Sequence, residues 1–232
     1  MRKVVDEVLK RYKAGWENFF VIALTGSVSV GKSTISQQLS DELKKSFPGV
    51  TTAIISVDSF IFSNEELKSR GIFSEKGFPK SYDLKALSAA LFELKNGSNE
   101  IKIPVYSHAI NNIAAGEFET IKKPKILIVE GVCAFRIDNY DLSIYVDADE
   151  KLIYQWFLKR TLSFIRNSKD DPNNFYYQFS KMPIPKIMPA INQTWEQTDL
   201  RNLTEFIEPM KKKADMVIHK TKGHRIDRII VN

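Results

Sequence analysis

A chain of 232 residues that is 43% hydrophobic can bury a substantial core, and no Gly/Ser-rich or Pro-rich linker divides it, so one domain over residues 1–232 is expected. The formal charge of +6 reads first as an ordinary basic surface and second as attraction to anionic ligands such as nucleotides. No long basic tract with interleaved aromatics marks RNA or DNA binding, and Lys211, Lys212 and Lys213 read as a solvated helix end. A lone cysteine, Cys133, excludes an internal disulfide; with no signal-peptide pattern, a reducing cytoplasm is the expected setting. No apolar run reaches membrane-spanning length, so no membrane partner is expected.

In chain order, residues 1–18 are expected as a helical extension. Phe19 to Leu24 is continuously apolar, the pattern of a strand buried on both faces. Ile35, Leu39, Leu43 and Phe47 recur every four residues and predict a helix from Ser33 to Phe47, stopped by Pro48-Gly49. "TTAIISVD" predicts a second buried strand ending at Asp58. "YDLKALSAALFELKNG" predicts a helix with Asp83 as N-cap and Gly97 past its end. "EIKIPVYS" and "GEFETIKK" read as extended pieces outside the main sheet. "KILIVEG" and "LSIYVDAD" are further strands, and "EKLIYQWFLKRTLSFIR" is a long helix. After the Pro-rich "KMPIPKIMP", another helix is expected from about Ala190 to Met210, then strands in "ADMVIHK" and "RIDRIIVN". Strands alternating with helices predict an α/β fold, a mostly parallel sheet covered on both faces. Ligands of such sheets gather at the carboxyl ends of the strands, a rim that would carry Gly26, Asp58, Glu130 and Asp147.

"GSVSVGKS" fits G-x-x-x-x-G-K-[ST] without a mismatch, between a buried strand and an amphipathic helix. Gly26 and Gly31 permit backbone angles that a Cβ would forbid. The N–H groups of Ser27, Val28, Ser29, Val30 and the helix start around Thr34 would then point at phosphate oxygens. Lys32 would reach the β and γ phosphates, and the Ser33 hydroxyl would be a ligand for Mg²⁺. The competing reading is a glycine-rich turn that merely joins strand to helix.

Asp58, at a strand end, can hold a hydroxyl nucleophile or cap a turn. Glu130 after "ILIV" is either a second carboxylate near Mg²⁺ or a strand-end acid facing solvent. Asp147 and Asp149 read as caps for the helix starting near Glu150. Arg160 falls on one helical face with Ile153, Phe157 and Phe164. A charge among apolar neighbours needs a partner or an anionic ligand; the alternatives are a lid arginine for a transferring phosphoryl group and an arginine snorkelling at the edge of a packed face. His108 and His224 have no neighbouring metal-ligand pattern, and no Ser-His-Asp arrangement is present.

"TGSVSVGKST", "SVDSF", "RGIFSEKGFPKSYDL", "IPVYSH", "ILIVEG", "SIYVDAD" and "KTKGH" resemble, in this order, the segments of bacterial type I pantothenate kinases, within the phosphoribulokinase and uridine kinase group of phosphate-loop kinases. The resemblance runs from about Phe19 to the C-terminus. "KGFPKSYD" followed by "VYSH" is its most specific part; uridine kinases typically carry Tyr-Asp-Phe where this chain has Tyr106-Ser107-His108. The resemblance implies transfer of the γ-phosphate of ATP, with Mg²⁺, to a primary hydroxyl of pantothenate, the first step of coenzyme A synthesis. It implies Lys32 and Ser33 serving ATP and Mg²⁺, Asp58 as the base, and Arg160 meeting the transferred phosphate. Tyr106, His108 and Asn202 would line the pantothenate site, and His224 would stack near the adenine. Residues 59–122 and 150–210 would be the acceptor and lid elements, and a homodimer is compatible with the resemblance. The chain departs from the family at Phe157, where a tyrosine is usual, at Asn111, where an aromatic is usual, and at Ser59, where a glycine is usual. It is also shorter before Phe19 and between Glu130 and Asp141. Two rivals stay open: a uridine or other nucleoside kinase of the same fold, and a nucleotide-binding protein that transfers nothing.

Overall fold

The computed structural model describes residues 1–14 and 19–232, so the end of the expected N-terminal extension, residues 15–18, lies outside the described residues. Helix α1 spans Arg2–Ala14, strand β1 Phe20–Gly26, helix α2 Lys32–Ser46 and strand β2 Thr52–Ser56. Helices α3 (Asn64–Ser69) and α4 (Leu84–Lys95) follow, then the strands β3 (Glu100–Ser107), β4 (Asn112–Lys122), β5 (Ile126–Glu130) and β6 (Leu142–Ala148). Helices α5 (Glu150–Asn167), α6 (Tyr177–Ser180) and α7 (Ile184–Thr194) precede the closing strands β7 (Met216–Thr221) and β8 (Arg225–Val231). Six strands form one sheet in the order β2-β5-β1-β6-β7-β8, parallel except for the antiparallel β7–β8 pair. The β3–β4 hairpin stands apart as its own two-stranded sheet, as the sequence predicts.

The continuous apolar runs have the expected cause. Alternate residues of the central strands face opposite cores: Phe20, Ile22 and Leu24 of β1 with Ile126 and Ile128 of β5 on one side, Val21, Ala23, Leu127 and Val129 on the other. The first core is covered by α1, α2, α5 and α7, the second by α4 and the hairpin. In α2 the predicted stripe is buried through Ile35, Leu39 and Leu43. Asp83 caps α4 as expected, its Oδ1 accepting from the Ala86 N–H at 2.9 Å. Among the described residues no helix is long and apolar enough to cross a membrane.

Three elements differ from the sequence reading. β2 is the edge strand, so it is only partly buried, and it ends at Ser56; Asp58 lies in a 3₁₀ turn, Val57–Phe60. The helix expected at Ala190 begins at Ile184, because Pro185 stands in the first turn, where a missing N–H removes no intrahelical bond. Pro189 is carried within it, and the chain then continues through wider π-type turns at Trp195–Leu200 and Leu203–Ile207. Asp149 occupies the cap position of α5 without a side-chain bond to it, and Asp147 instead accepts from Lys211 Nζ at 2.6 Å.

Leu39 is fully buried between α2 and the sheet. Leu39→Ala should cost about 2–5 kcal/mol through lost burial and a residual cavity. Urea unfolding would show it as a lower midpoint at unchanged slope.

Candidate active site

The burial of β1 on both sides fixes where its last residues stop. Gly26 adopts φ +152°, and a Cβ there would collide with the Val146 carbonyl on the adjacent strand. Gly31, at φ +94°, turns the loop into α2, whose first turn has no side-chain cap. The open N–H groups and the positive end of that helix therefore face the loop. Val30 is fully buried and pins the loop to the core. The hydroxyls of Ser27 and Ser29 are buried without a hydrogen-bond partner, which suits a cradle shaped for an oxygen-rich ligand.

Lys32 Nζ folds back over the loop and donates to the Ser27 carbonyl at 2.9 Å. Desolvation lowers its pKa, while Glu130 and Asp58 pull in the opposite direction. Ser33 Oγ donates to Glu130 Oε1 at 2.7 Å, across from the end of β5. Burial raises the Glu130 carboxyl above its usual range, with Lys32 and the Ser33 bond opposing. Asp58 Oδ1 accepts from the Tyr82 phenol at 3.0 Å. Tyr82 is itself held well above the ordinary phenol range by burial and the neighbouring Asp58.

Arg160 extends from α5 with Nη2 3.2 Å from His108 Nε2. A guanidinium only donates, so His108 accepts through Nε2. Burial first and the Arg160 charge second lower the His108 pKa, which keeps the ring neutral for that role. The imidazole stacks on Phe164 at 5.7 Å and meets the Tyr106 ring edge-on at 5.2 Å. Tyr106 donates to Asn111 Oδ1 at 2.8 Å. Phe157 packs on Trp195 at 5.4 Å. Asn202 is buried; its Nδ2 donates to the Gly77 carbonyl at 2.7 Å, while its Oδ1 has no partner.

These groups share one cavity of about 520 Å³, lined by Val28, Ser29, Lys32, Ser33, Asp58, Tyr106, His108, Asn111, Glu130, Phe157, Arg160 and Asn202 among others. Gly26, Ser27, Val30, Gly31 and Thr34 shape the loop without lining that cavity, and Asp147 is turned away from it to Lys211. His224 also lies outside the lining, stacked on Trp156 at 3.9 Å beside Gly31.

Sequence reasoning missed three further groups at the cavity. Tyr82 was hidden as the residue before a helix cap. Lys76 lies in the "EKGFPKS" segment; its Nζ donates to Asn64 Oδ1 at 2.8 Å and to the Asn111 carbonyl, and burial pushes it down to about 8. Asp199 lines the cavity on a π-type turn, three residues before Asn202, a spacing that could have revealed it. Burial pushes its carboxyl up to about 7, against the pull of Arg160 and Lys32.

A parallel sheet whose central strand ends in this loop, with a carboxylate beside the lysine and an arginine on a covering helix, defines a phosphate-loop kinase. The chain belongs to the phosphoribulokinase/uridine kinase family, whose sequence profile matches residues 21–164. It is 41% identical over 218 residues to the pantothenate kinase of Lactococcus lactis subsp. cremoris (strain SK11), covering 90% of this chain and 71% of the relative. It is 42% identical over 221 residues to the pantothenate kinase of Levilactobacillus brevis, covering 91% and 72%. Among solved structures, D-glycerate 3-kinase from Cryptococcus neoformans var. grubii has the same fold, with a TM-score of 0.68 at 13% identity over 100% of this chain and 98% of the other.

The raised Asp199 carboxyl has a measurable consequence. An aspartate in the unfolded chain titrates near 3.9, so the folded state holds this proton more tightly. The resulting stability is complete below about pH 4 and is lost as pH rises through the folded value of about 7. Asparagine mimics the protonated form. The Tm of Asp199→Asn relative to the wild type should therefore increase from about pH 4 to about pH 8; a constant difference would show that Asp199 ionises without penalty.

Proposed function

We propose that this kinase transfers the γ-phosphate of ATP to the primary hydroxyl of pantothenate. The observation that carries the reading is the single cavity onto which Lys32, Asp58 and Arg160 all open. The pantothenate kinases at 41% and 42% identity support the choice of acceptor.

The phosphate loop, from Gly26 to Thr34, receives the triphosphate on its N–H groups, and Lys32 exchanges the Ser27 carbonyl for the β and γ phosphates. The Ser33 hydroxyl and the Glu130 carboxylate are hard oxygen donors that fit Mg²⁺. Among the described residues no group of three or more His, Cys, Asp or Glu could build an all-protein metal cage, which suits an ion shared with substrate phosphates and water. When bound, Mg²⁺ supplies charge neutralisation of the phosphates. Asp58, oriented by Tyr82, accepts the hydrogen of the attacking hydroxyl and takes its proton as the new O–P bond forms and the bond from the γ-phosphorus to the β,γ-bridging oxygen breaks, with ADP as the leaving group. Arg160, with His108 as its acceptor, donates to the phosphoryl oxygens as charge develops on them. The unpartnered Asn202 Oδ1 takes a donor from the acceptor, and Tyr106, His108 and Phe157 form the walls around it. His224 offers the adenine the ring face that Trp156 leaves uncovered. Under this reading residues 1–232 act as one kinase unit, with acceptor and lid elements in 59–122 and 150–210.

Asp58→Asn should lower kcat about 10²–10⁴-fold, the usual contribution of a positioned base, with a smaller effect on the KM for ATP. Steady-state kinetics in both substrates would show the split, and an unchanged kcat would reduce Asp58 to a turn residue.

Phe157 leaves the acceptor wall without a phenol hydroxyl. ADP release over a panel containing pantothenate, uridine and other nucleosides tests the acceptor directly. Pantothenate should be phosphorylated, and Phe157→Tyr should lower its KM roughly 2- to 13-fold, the value of one neutral hydrogen bond. Transfer to a nucleoside but not to pantothenate would replace the acceptor and leave the kinase chemistry standing.

A further inference from the structure

Lys220 is a lysine only 1% exposed that has no part in the transfer described above. It stands on β7, and its Nζ donates to the Val30 carbonyl of the phosphate loop at 2.7 Å. The ammonium lies 5.8 Å from the centre of the Trp156 ring, on which His224 stacks. It is so close to the loop that a Cβ at residue 31 would lie 2.5 Å from Nζ. Burial pushes the ammonium down to about 8, so it remains protonated at neutral pH.

Among the described residues no carboxylate is bonded to Lys220, and a buried lysine so placed is costly to retain. The bond it makes has a directional effect. In a trans peptide the carbonyl and the N–H point in opposite directions. With the Val30 oxygen drawn to Lys220, the Gly31 N–H must point away from Lys220. In a phosphate cradle that N–H belongs to the inward-facing set. A flipped peptide would turn the carbonyl oxygen toward the phosphates, and the glycine at 31 permits such a flip.

We infer that Lys220 is a positioning residue for the phosphate loop, fixing the Val30–Gly31 peptide so that the Gly31 N–H is presented to a nucleotide's phosphates. The inference rests on the reading that the loop holds a nucleotide. It assigns to β7 a share in nucleotide binding although none of its side chains lines the cavity.

The test uses Lys220→Met, which fills the space without a donor, and Lys220→Arg, which keeps donor and charge. ADP affinity in the presence of Mg²⁺ is measured by titration calorimetry, steady-state kinetics are run in both substrates, and the Tm of each ligand-free protein is recorded. Lys220→Met should weaken ADP binding and raise the KM for ATP by roughly tenfold or more, the loss of a charge-assisted hydrogen bond. The KM for pantothenate should be unchanged, and Lys220→Arg should recover part of the ADP affinity. A merely structural lysine would lower the ligand-free Tm and leave ADP affinity intact; that result overturns the inference. No ADP binding by the wild type would instead overturn the nucleotide reading itself, and this inference with it. If Lys220→Met does not fold, the wild-type protein decides. With ADP bound, isotope-labelled Lys220 Nζ and the Val30 carbonyl carbon should show coupling through their hydrogen bond. Its absence in the complex overturns the inference.

Discussion

The phosphate loop can hold its shape because β1 cannot move. All seven of its residues are buried, with alternate side chains committed to opposite cores and a parallel partner on either edge. A one-residue slip would exchange every side chain between the two cores. The end of the strand is therefore fixed relative to α2, and Val30 and Lys220 fasten the loop between them at two further points. The same sheet register brings the carboxyl end of β5 alongside, with Leu24 paired to Glu130, so that the Glu130 side chain reaches Ser33. An anionic ligand then meets groups that need little rearrangement, which is the basis of electrostatic stabilisation in a low-dielectric site.

The covering elements work differently. Arg160 and His108 come from α5 and from the end of β3, and they meet through a single side-chain contact. Tyr106, Asn111 and Lys76 form a second group on the same side of the cavity. Tyr106, His108 and Asn111 share the β3–β4 hairpin, but Arg160 and Lys76 reach it only through their side chains. Their arrangement therefore depends on a few residue identities, and Arg160 and Asn111 are two of them.

Much of this was legible in the sequence where one physical signal dominated. Continuous apolar runs gave β1, β5 and β6, because a strand covered on both faces has no polar side to show. The four-residue stripe gave α2, and Asp83 gave the start of α4. The phosphate loop was readable because its glycines, lysine and serine are tied to a backbone shape. What failed to show was set by position in space. β2 looked like an interior strand because edge placement leaves no local mark. The start of α7 was obscured by prolines that the first turn of a helix accepts. Asp199 was missed because an acidic residue in a helical stretch reads as a solvated side chain, and only the fold shows it lining the cavity beside Asn202. Lys220 reads in sequence as the polar end of a strand; only the fold reveals that the loop 190 residues earlier lies over it.

The β3–β4 hairpin lies outside the six-stranded sheet, yet its tip supplies Tyr106, His108 and Asn111 to the cavity. Ile101, Ile103 and Ile121, nearer its base, are buried members of the second core, and Tyr106 and Ile113 pack against the same core nearer the tip. The ribbon is thus seated along its length while its tip also lines the cavity, with Tyr106 doing both. Substitution at the tip can reshape that wall of the cavity while the apolar base keeps the ribbon seated. A cavity built in this way can change the shape of one wall while the loop at the end of β1 keeps its own.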